Sequence, residues 1–230
     1  SAYDKLVITG YPKLDVYFKK IKDLKSHCTV WKMPVDEGNK RVIYAPHHSL
    51  GGSRLSMSTF EWMHKPLLEI AQNQKGLQWI YKPHPTLKHN VVRKKFMTKA
   101  QYEKYQNSWS EMSNGAVYDS GNYFHIFRTS DVLITDSGSF LAEYLPTEKP
   151  IIWLASKNTV GFNPVGAMLA KSFYIAGNLK EFNDIFNDVV VKGNDHLRDK
   201  RMEAIDMLFP AKKRSSIIIM DYLKGQFGIR

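Results

Sequence analysis

Short apolar runs, each closed by a polar or proline-containing turn, recur along the whole chain. They consist of consecutive apolar residues rather than alternating apolar and polar ones, a pattern typical of parallel strands buried on both faces. We therefore predict strands at residues 5–9, 42–45, 77–81, 116–118, 132–135, 151–154 and 173–176.

Apolar residues at three- and four-residue spacing predict helices between these strands, at residues 59–72, 140–145, 179–190, 195–208 and 215–223. Pro66 lies inside the first helix, where we expect it to kink or split the helix, and Asn178 is a suitable N-cap for the third. This alternation predicts an α/β fold with a Rossmann-like parallel sheet and helices on both faces. We expect residues 1–230 to form a single domain, with residues 108–122 as its loosest internal segment.

Three polar clusters follow predicted strands at the point where each strand ends. They are residues 46–49 (PHHS), 82–85 (KPHP) and 136–139 (DSGS). In open parallel sheets, ligands bind beyond the carboxyl ends of the strands. The fold should therefore bring these clusters together along one edge, although they are far apart in the sequence.

The cluster at residues 136–139 opens a predicted helix, and a helix start favours an anion because its first N–H groups are free. Gly138 lets the backbone approach a ligand closely, while Ser137 and Ser139 add hydroxyl donors. Asp136 would repel a phosphate, so we expect it to cap the turn or to orient a neighbouring histidine. The alternative is an ordinary capped helix start with no ligand.

His84 lies between two prolines that fix the backbone, so its ring is presented in a defined position. A protonated imidazole pairs with phosphate and stabilises charge on a leaving nucleotide. Lys82, two residues before it, is a further candidate. The neighbours His47 and His48 have metal-binding chemistry, but no third ligand stands at a telling spacing, so we expect no metal site.

The charge balance favours anionic partners. The chain of 230 residues carries 33 Lys and Arg against 22 Asp and Glu, a formal net charge of +11. Its basic clusters lie at residues 93–95, 198–201 and 212–214, where a solvated helix face is the simpler interpretation. The single cysteine, Cys28, excludes an internal disulfide. We identify no membrane span or signal peptide, and the abrupt start suggests a piece of something longer.

Four segments together resemble the CDP-glycerol glycerophosphotransferase family, which includes teichoic-acid polymerases. They are LVITGYPKLDVYF, VIYAPHHS, WIYKPHP and SDVLITDSGSFLAEYLPTEKPIIWL, in the family's order and approximate spacing. The resemblance covers residues 6 to about 154, and beyond them it rests on the order of elements. It implies the GT-B arrangement of two Rossmann-like domains, of which this chain is the C-terminal, donor-binding half.

The resemblance also implies roles for individual residues. His84 matches the histidine that contacts the donor diphosphate, Ser139 the second serine of the phosphate-binding turn, and Asp136 the acidic residue that opens that turn. Glu143 matches an acidic residue placed for ribose or glycerol hydroxyls, although an exposed helical glutamate is the commoner explanation. The loop at residues 120–125, which includes Asn122, lies where the nucleobase would be held.

The chain departs from the family pattern at two places. His47-His48-Ser49 replaces the usual Thr-Trp-Arg, and Ser137-Gly138 replaces a tyrosine and the first serine. The resulting TDSG turn is similar to that of UDP-sugar 2-epimerases, which share the GT-B fold. The family's N-terminal domain, with its catalytic base and acceptor surface, has no counterpart in the sequence.

We therefore predict the donor-binding domain of a transferase that moves glycerol phosphate or a related polyol phosphate from a CDP-activated donor. The acceptor would be a cell-surface polysaccharide or an anionic, teichoic-acid-like polymer. The transferase would need no cofactor and would act in the cytoplasm, peripherally at the inner face of the bacterial plasma membrane. The first alternative is a glycosyltransferase or epimerase domain that uses a nucleotide sugar. The second is a non-catalytic module that binds an anionic polymer or membrane, and nucleic acid is not expected as a partner.

Overall fold

The fold is built on a parallel sheet of short buried strands. The computed structural model describes residues 6–18, 30–33, 39–51, 55–157, 161–209 and 213–228. In this part of the chain six strands, all paired in parallel, form one sheet in the order β3-β2-β1-β4-β5-β6. Their bounds are Lys40–Ala45 (β1), Leu77–Tyr81 (β2), Gly115–Val117 (β3), Val132–Thr135 (β4), Ile151–Leu154 (β5) and Tyr174–Ala176 (β6).

Helices lie between and after the strands. Their bounds are Phe60–Asn73 (α1), Leu87–Arg93 (α2), Lys99–Glu111 (α3), Phe124–Thr129 (α4), Gly138–Tyr144 (α5), Pro164–Ala170 (α6), Leu179–Ile185 (α7), Arg198–Leu208 (α8) and Ser215–Phe227 (α9). The described residues also include two 3-10 helices, Pro12–Phe18 and Leu145–Thr147, and a π-helix, Phe186–Val191.

The sheet has a hydrophobic core on each face, because successive side chains of a strand point to opposite sides. Val42 and Tyr44 of β1 contribute to a core shared with α1, α3 and α7. Ile43 and Ala45 contribute to a second core shared with α4, α5, α6 and α8. The prediction of a Rossmann-like parallel sheet with helices on both faces is confirmed.

Several elements differ from the sequence expectation. Residues 6–9 of the first predicted strand have no regular structure, and Leu6 and Ile8 are 67% and 81% exposed. Pro66 does not split its helix, since α1 runs without interruption from Phe60 to Asn73. Residues 108–122 are regular in part, because they hold the end of α3 and the whole of β3, whereas residues 118–122 belong to no helix or strand.

The basic cluster at residues 198–201 is not simply a solvated helix face. The side chain of Arg201 is fully buried and forms an ion pair with Asp195, and its Nε donates to the carbonyl of Glu148 at 3.3 Å. Its charge therefore holds α8 to the preceding loop and does not face a partner. None of the helices in the described part of the chain is long and apolar enough to cross a membrane.

Candidate functional site

Three polar loops meet at the carboxyl edge of the sheet, as their positions after predicted strands indicated. They follow β2, β1 and β4, which are adjacent, and the connection order reverses between β1 and β4. Such a reversal opens a ligand-binding crevice. A cleft of about 220 Å³ lies there. Its polar lining includes Lys13, Lys82, His84, Tyr123, Ser137 and Ser139.

His84 lines the cleft as a neutral imidazole. Its backbone N–H donates to the carbonyl of Pro46 at 3.1 Å, and its Nδ1 accepts from the Thr86 N–H at 3.2 Å. Since Nδ1 accepts, the ring proton lies on Nε2. Burial, then His48 and Lys82, lower the pKa of His84 to about 4. The sequence suggested a protonated ring, whereas burial in the structure favours the uncharged ring at neutral pH.

His47 and His48 pack against the His84 ring. The ring centroids lie 4.2 Å apart for His48 and His84, 4.3 Å for His47 and His48, and 5.5 Å for His47 and His84. The Ser49 N–H donates to His47 Nδ1 at 3.2 Å, and Asn90 Nδ2 lies 3.1 Å from His48 Nδ1. Burial lowers the pKa of both rings, that of His47 to about 4. The histidines thus form one stacked cluster.

Lys82 places an ammonium group against the aromatic wall of the cleft. Its Nζ donates to the Ser120 carbonyl at 3.2 Å and lies 4.9 Å from the centroid of the Tyr123 ring and 5.8 Å from that of Phe140. Burial lowers its pKa to about 8. The group is therefore mainly charged at neutral pH, and the aromatic rings stabilise that charge.

The serine turn positions two hydroxyls at the cleft. Ser137 precedes α5 but its side chain makes no capping hydrogen bond. Its Oγ lies 3.4 Å from Ser139 Oγ, and its N–H donates to Thr135 Oγ1 at 3.0 Å. Gly138 does not line this cleft but a neighbouring cavity of about 430 Å³, and a Cβ there would lie 3.0 Å from Met57 Cε. Close packing against Met57 is thus a reason for the glycine.

Asp136 lies behind the turn and is completely buried. Its carboxylate accepts from the His47 N–H, from the Thr59 N–H at 2.6 Å and from the Thr59 hydroxyl at 2.9 Å. It therefore joins the loops after β1 and β4 to the start of α1, and it positions His47 through the backbone rather than the ring. Burial outweighs these hydrogen bonds and raises its pKa to about 6.

Glu143 is fully buried within α5 and not exposed. Its Oε1 accepts from Tyr11 OH at 3.1 Å and from Lys13 Nζ at 2.8 Å, and its Oε2 accepts from Tyr123 OH. Tyr17 OH donates to its backbone carbonyl at 2.7 Å. Both carboxylate oxygens are thus occupied by side chains of the protein, two of which, Lys13 and Tyr123, line the cleft.

Asn122 stands away from the cleft in the same loop. It is exposed, and its carbonyl accepts from Tyr118 OH. Ser120, Gly121 and Tyr123 of that loop line the cleft instead.

Sequence reasoning missed Lys13 and Tyr123. Lys13 lies in the TGYPK segment, which was quoted for the family resemblance without a role for the lysine. Its proximity to Glu143 depends on contacts between residues 130 positions apart. Within the described ranges, no group of three or more His, Cys, Asp or Glu side chains could hold a metal ion.

A family model matches more than half of the chain. A family model described as CDP-Glycerol:Poly(glycerophosphate) glycerophosphotransferase matches residues 1–159, which include β1, β2 and β4 with all three cleft loops. None of the curated proteins compared with the chain matches it.

Solved structures show the same fold at low sequence identity. The UDP-GlcNAc 2-epimerase of Neisseria meningitidis, bound to UDP-GlcNAc, is 18% identical with a TM-score of 0.62, over 96% of this chain and 56% of that one. The wall teichoic acid polymerase TagF, a variant soaked with CDPG, is 17% identical with a TM-score of 0.56, over 99% and 52%. The chain spans about half the length of these proteins. Its fold matches one half of a GT-B-like structure.

Proposed function

The chain belongs to the CDP-glycerol:poly(glycerophosphate) glycerophosphotransferase family, and from that premise we propose that it binds the activated donor for such a transferase. The donor is CDP-glycerol or a related CDP-linked polyol, and the acceptor is an anionic, teichoic-acid-like polymer. One observation carries the proposal: the family match contains all three loops that converge on a cleft with cationic and hydroxyl side chains.

The proposed reaction is the displacement of CMP. An acceptor hydroxyl attacks the β-phosphorus, the bond between β-phosphorus and the bridging oxygen breaks, and a phosphodiester forms. Negative charge gathers on the bridging oxygen and the non-bridging oxygens, where Lys82 and Lys13 supply positive charge and His84 supplies an Nε2–H donor. The base that takes the acceptor's proton belongs to the other half of the transferase.

The donor's place follows from the cleft wall. We place the diphosphate between His84 and the hydroxyls of Ser137 and Ser139, and the nucleoside towards Ser120, Gly121 and the Tyr123 ring. The carboxylate of Glu143 contributes by fixing Lys13 and Tyr123, since its oxygens are engaged by these residues and Tyr11.

Calorimetric titration of the chain with CDP-glycerol tests this proposal. We expect His84→Ala to lower the affinity about ten- to a hundredfold, as for a lost hydrogen bond to a charged group. The exposed His89 on α2 provides the matched control, and His89→Ala should bind as the parent does. Unchanged affinity in His84→Ala would move the site to another part of the sheet edge.

Turnover provides a second test, because the proposal assigns this chain donor binding without a base. Incubation with CDP-glycerol should release no CMP above the level of the His84→Ala variant. Release above that level would contradict the assignment of only half the catalytic machinery to this chain.

A nucleotide-sugar enzyme is the second candidate function. It is favoured by the TDSG turn at residues 135–138 and by the structural likeness to UDP-GlcNAc 2-epimerases. The same calorimeter distinguishes the two: UDP-GlcNAc binding at least tenfold more tightly than CDP-glycerol and CDP-ribitol would favour it.

Association with an anionic membrane face is a further part of the proposal. The terminal helix α9 leaves Met220, Leu223 and Phe227 exposed, and the basic residues Lys213 and Arg214 precede it. Co-sedimentation with anionic vesicles at low salt, lost at high salt, would support it. Equal, negligible sedimentation with neutral and anionic vesicles would show that α9 does not bind a membrane surface.

A further inference from the structure

The stacked cluster of His47, His48 and His84 differs from the family pattern. The first two residues stand where the family usually has other residues, so their packing against His84 is a property of this chain. The three rings lie within 5.5 Å of one another, measured between centroids. At this separation, a proton on one imidazole lowers the pKa of the other two, so the three rings titrate together.

Every Nδ1 in the cluster faces a donor. His47 Nδ1 accepts from the Ser49 N–H, His84 Nδ1 from the Thr86 N–H, and His48 Nδ1 lies against Asn90 Nδ2. These contacts fix all three rings as neutral tautomers with the proton on Nε2. They also oppose a second proton at Nδ1, which adds to the effect of burial.

Two of the three rings nevertheless have a partner that can adapt to a second proton. Thr86 Oγ1 lies 2.9 Å from His84 Nδ1, and Ser49 Oγ lies 2.7 Å from His47 Nδ1. A hydroxyl donates to a neutral ring and accepts from a charged one. In the described part of the chain, the Nδ1 of His48 has no hydroxyl partner, because it faces the Asn90 amide, which also donates to the His48 carbonyl at 3.0 Å.

The charged groups of the protein around the cluster favour its neutral state. Lys82 lies on the same loop as His84 and lowers its pKa, and Lys13 faces the same cleft. Lys94, directly after α2, donates to the carbonyl of Leu50 close to this loop. Asp136 lies behind the cluster, on the His47 N–H. In the described part of the chain, no carboxylate is hydrogen-bonded to any of the three rings.

We propose that binding of the donor diphosphate drives the uptake of one proton by the histidine cluster, at His84 Nδ1, with the Thr86 hydroxyl turning to accept from it. This inference rests on the proposed donor site. Two charged rings at these separations would repel each other, so the cluster takes one proton and not two. The diphosphate supplies a counter-charge that the protein groups around the three rings do not provide.

The attraction between the diphosphate and a protonated His84 is strong enough to keep the ring charged near neutral pH. One pair of opposite charges about 4 Å apart in a partly buried site is worth roughly a thousandfold in affinity. Applied to a ring with a pKa of about 4, that coupling brings the pKa of His84 in the complex to about 7 or above.

The test is calorimetry at pH 6 in buffers of different ionisation enthalpy. CDP-glycerol and UDP-GlcNAc are suitable probes, because a diphosphate esterified at both ends does not itself titrate near this pH. We expect an uptake of nearly one proton per bound ligand, with His84→Gln reducing it to nearly zero and His89→Gln, outside the cluster, leaving it unchanged.

The pH profile provides a second readout. With a free pKa of about 4, affinity should fall about tenfold per pH unit from pH 5 to the pKa of the complex and then level off. An ordinary histidine would give a flat profile below about pH 6.5. In NMR spectra of ¹⁵N-labelled histidine, the three rings of the cluster should all be neutral Nε2–H tautomers in the free protein. With CDP-glycerol bound, one of these three rings should be doubly protonated.

The outcomes separate this inference from the proposed function. Binding of CDP-glycerol without proton uptake overturns the inference and leaves the donor assignment intact. Uptake with UDP-GlcNAc but no binding of CDP-glycerol supports the inference and overturns the donor assignment. A doubly protonated His84 in the free protein at pH 7, or binding of neither compound, overturns the inference.

Discussion

Asp136 and Glu143 are both buried carboxylates of the strand–turn–helix unit formed by β4 and α5, yet their surroundings differ. Asp136 accepts from two backbone N–H groups and a hydroxyl, and no cation in the described part of the chain is bonded to it. Glu143 accepts from two phenols and the Lys13 ammonium. Backbone N–H groups only donate, whereas a phenol can also accept and an ammonium can turn to water. Asp136 therefore stabilises the fold, whereas Glu143 positions Lys13 and Tyr123, which line the cleft.

The largest expected effect is the loss of stability in Asp136→Ala. It would leave the His47 N–H, the Thr59 N–H and the Thr59 hydroxyl without their buried acceptor. An unsatisfied buried donor costs about 1–3 kcal/mol, so we expect a loss of roughly 4 kcal/mol in the free energy of unfolding. Urea denaturation measures this loss. The control is Asp184→Ala, at an exposed position, which should lower the free energy of unfolding by no more than about 0.5 kcal/mol. A loss below about 1 kcal/mol in Asp136→Ala would contradict the structural role.

The next effect is the pH dependence contributed by the same carboxyl. Its pKa is about 6 in the folded protein against an ordinary value of 3.8, so between these values the folded protein binds the proton more tightly than the unfolded chain. The stability from this group is full below about pH 4 and is lost as the pH rises to about 6, by roughly 3 kcal/mol.

Asp136→Asn isolates this contribution, because an amide does not titrate and other groups cancel in the comparison. The stability gap between parent and variant should be largest near pH 4 and should narrow by about 3 kcal/mol towards pH 7. A gap that is constant, or that widens as the pH rises, would show that Asp136 is not a desolvated carboxyl.

Sequence reasoning identified the sheet edge well because the strands carry their own signal. Residues 77–81, 132–135 and 151–154 were predicted with the observed bounds, since consecutive apolar residues ending at polar turns are a local pattern. The run at residues 5–9 has the same composition, but residues 6–9 pair with no strand of the described sheet. Strand pairing is a tertiary property that a short run does not reveal.

Helix α3 was not predicted, although its sequence carries a helical pattern. Tyr102, Tyr105 and Trp109 are the buried residues of α3, at three- and four-residue spacing, and Thr98 and Gln101 form a capping box at its start. The helix was missed because its other residues are mostly polar.

The surroundings of the two carboxylates could not be predicted. The partners of Glu143 come from residues 11–13 and 123, and those of Asp136 from residues 47 and 59. Contacts at such separations depend on the packing of the whole sheet. The sequence therefore indicated acidic residues near the cleft without distinguishing their roles.

A smaller effect, on binding alone, is expected at the turn that Asp136 supports. Within the described residues, the Ser139 hydroxyl lies at a long 3.4 Å from Ser137 Oγ and makes no shorter hydrogen bond, so Ser139→Ala should leave the melting temperature nearly unchanged. Its affinity for CDP-glycerol should fall by about 1.5–3 kcal/mol if the hydroxyl binds the diphosphate. Calorimetry beside the exposed Ser110→Ala tests this. A melting temperature lowered without loss of affinity would make the turn a structural helix start.

The smallest changes in stability and affinity are expected for substitution of Glu143, the carboxylate that acts through the residues of the cleft. In Glu143→Gln, the amide oxygen still accepts, the phenols can reorient, and Lys13, whose side chain is 46% exposed, can turn to water. We therefore expect a stability loss of only about 1 kcal/mol, well below that of Asp136→Ala. Because Lys13 is then no longer held at the cleft, CDP-glycerol affinity should fall by about 1 kcal/mol, roughly fivefold.

Lys13→Met should lower the affinity by the same amount, and the double variant should lose no more than either single one, as expected when Glu143 acts through Lys13. Calorimetry of the three variants measures this coupling. Additive losses would mean that Glu143 contacts the donor directly, as the family resemblance implied. A stability loss in Glu143→Gln as large as that in Asp136→Ala would remove the distinction between the two carboxylates.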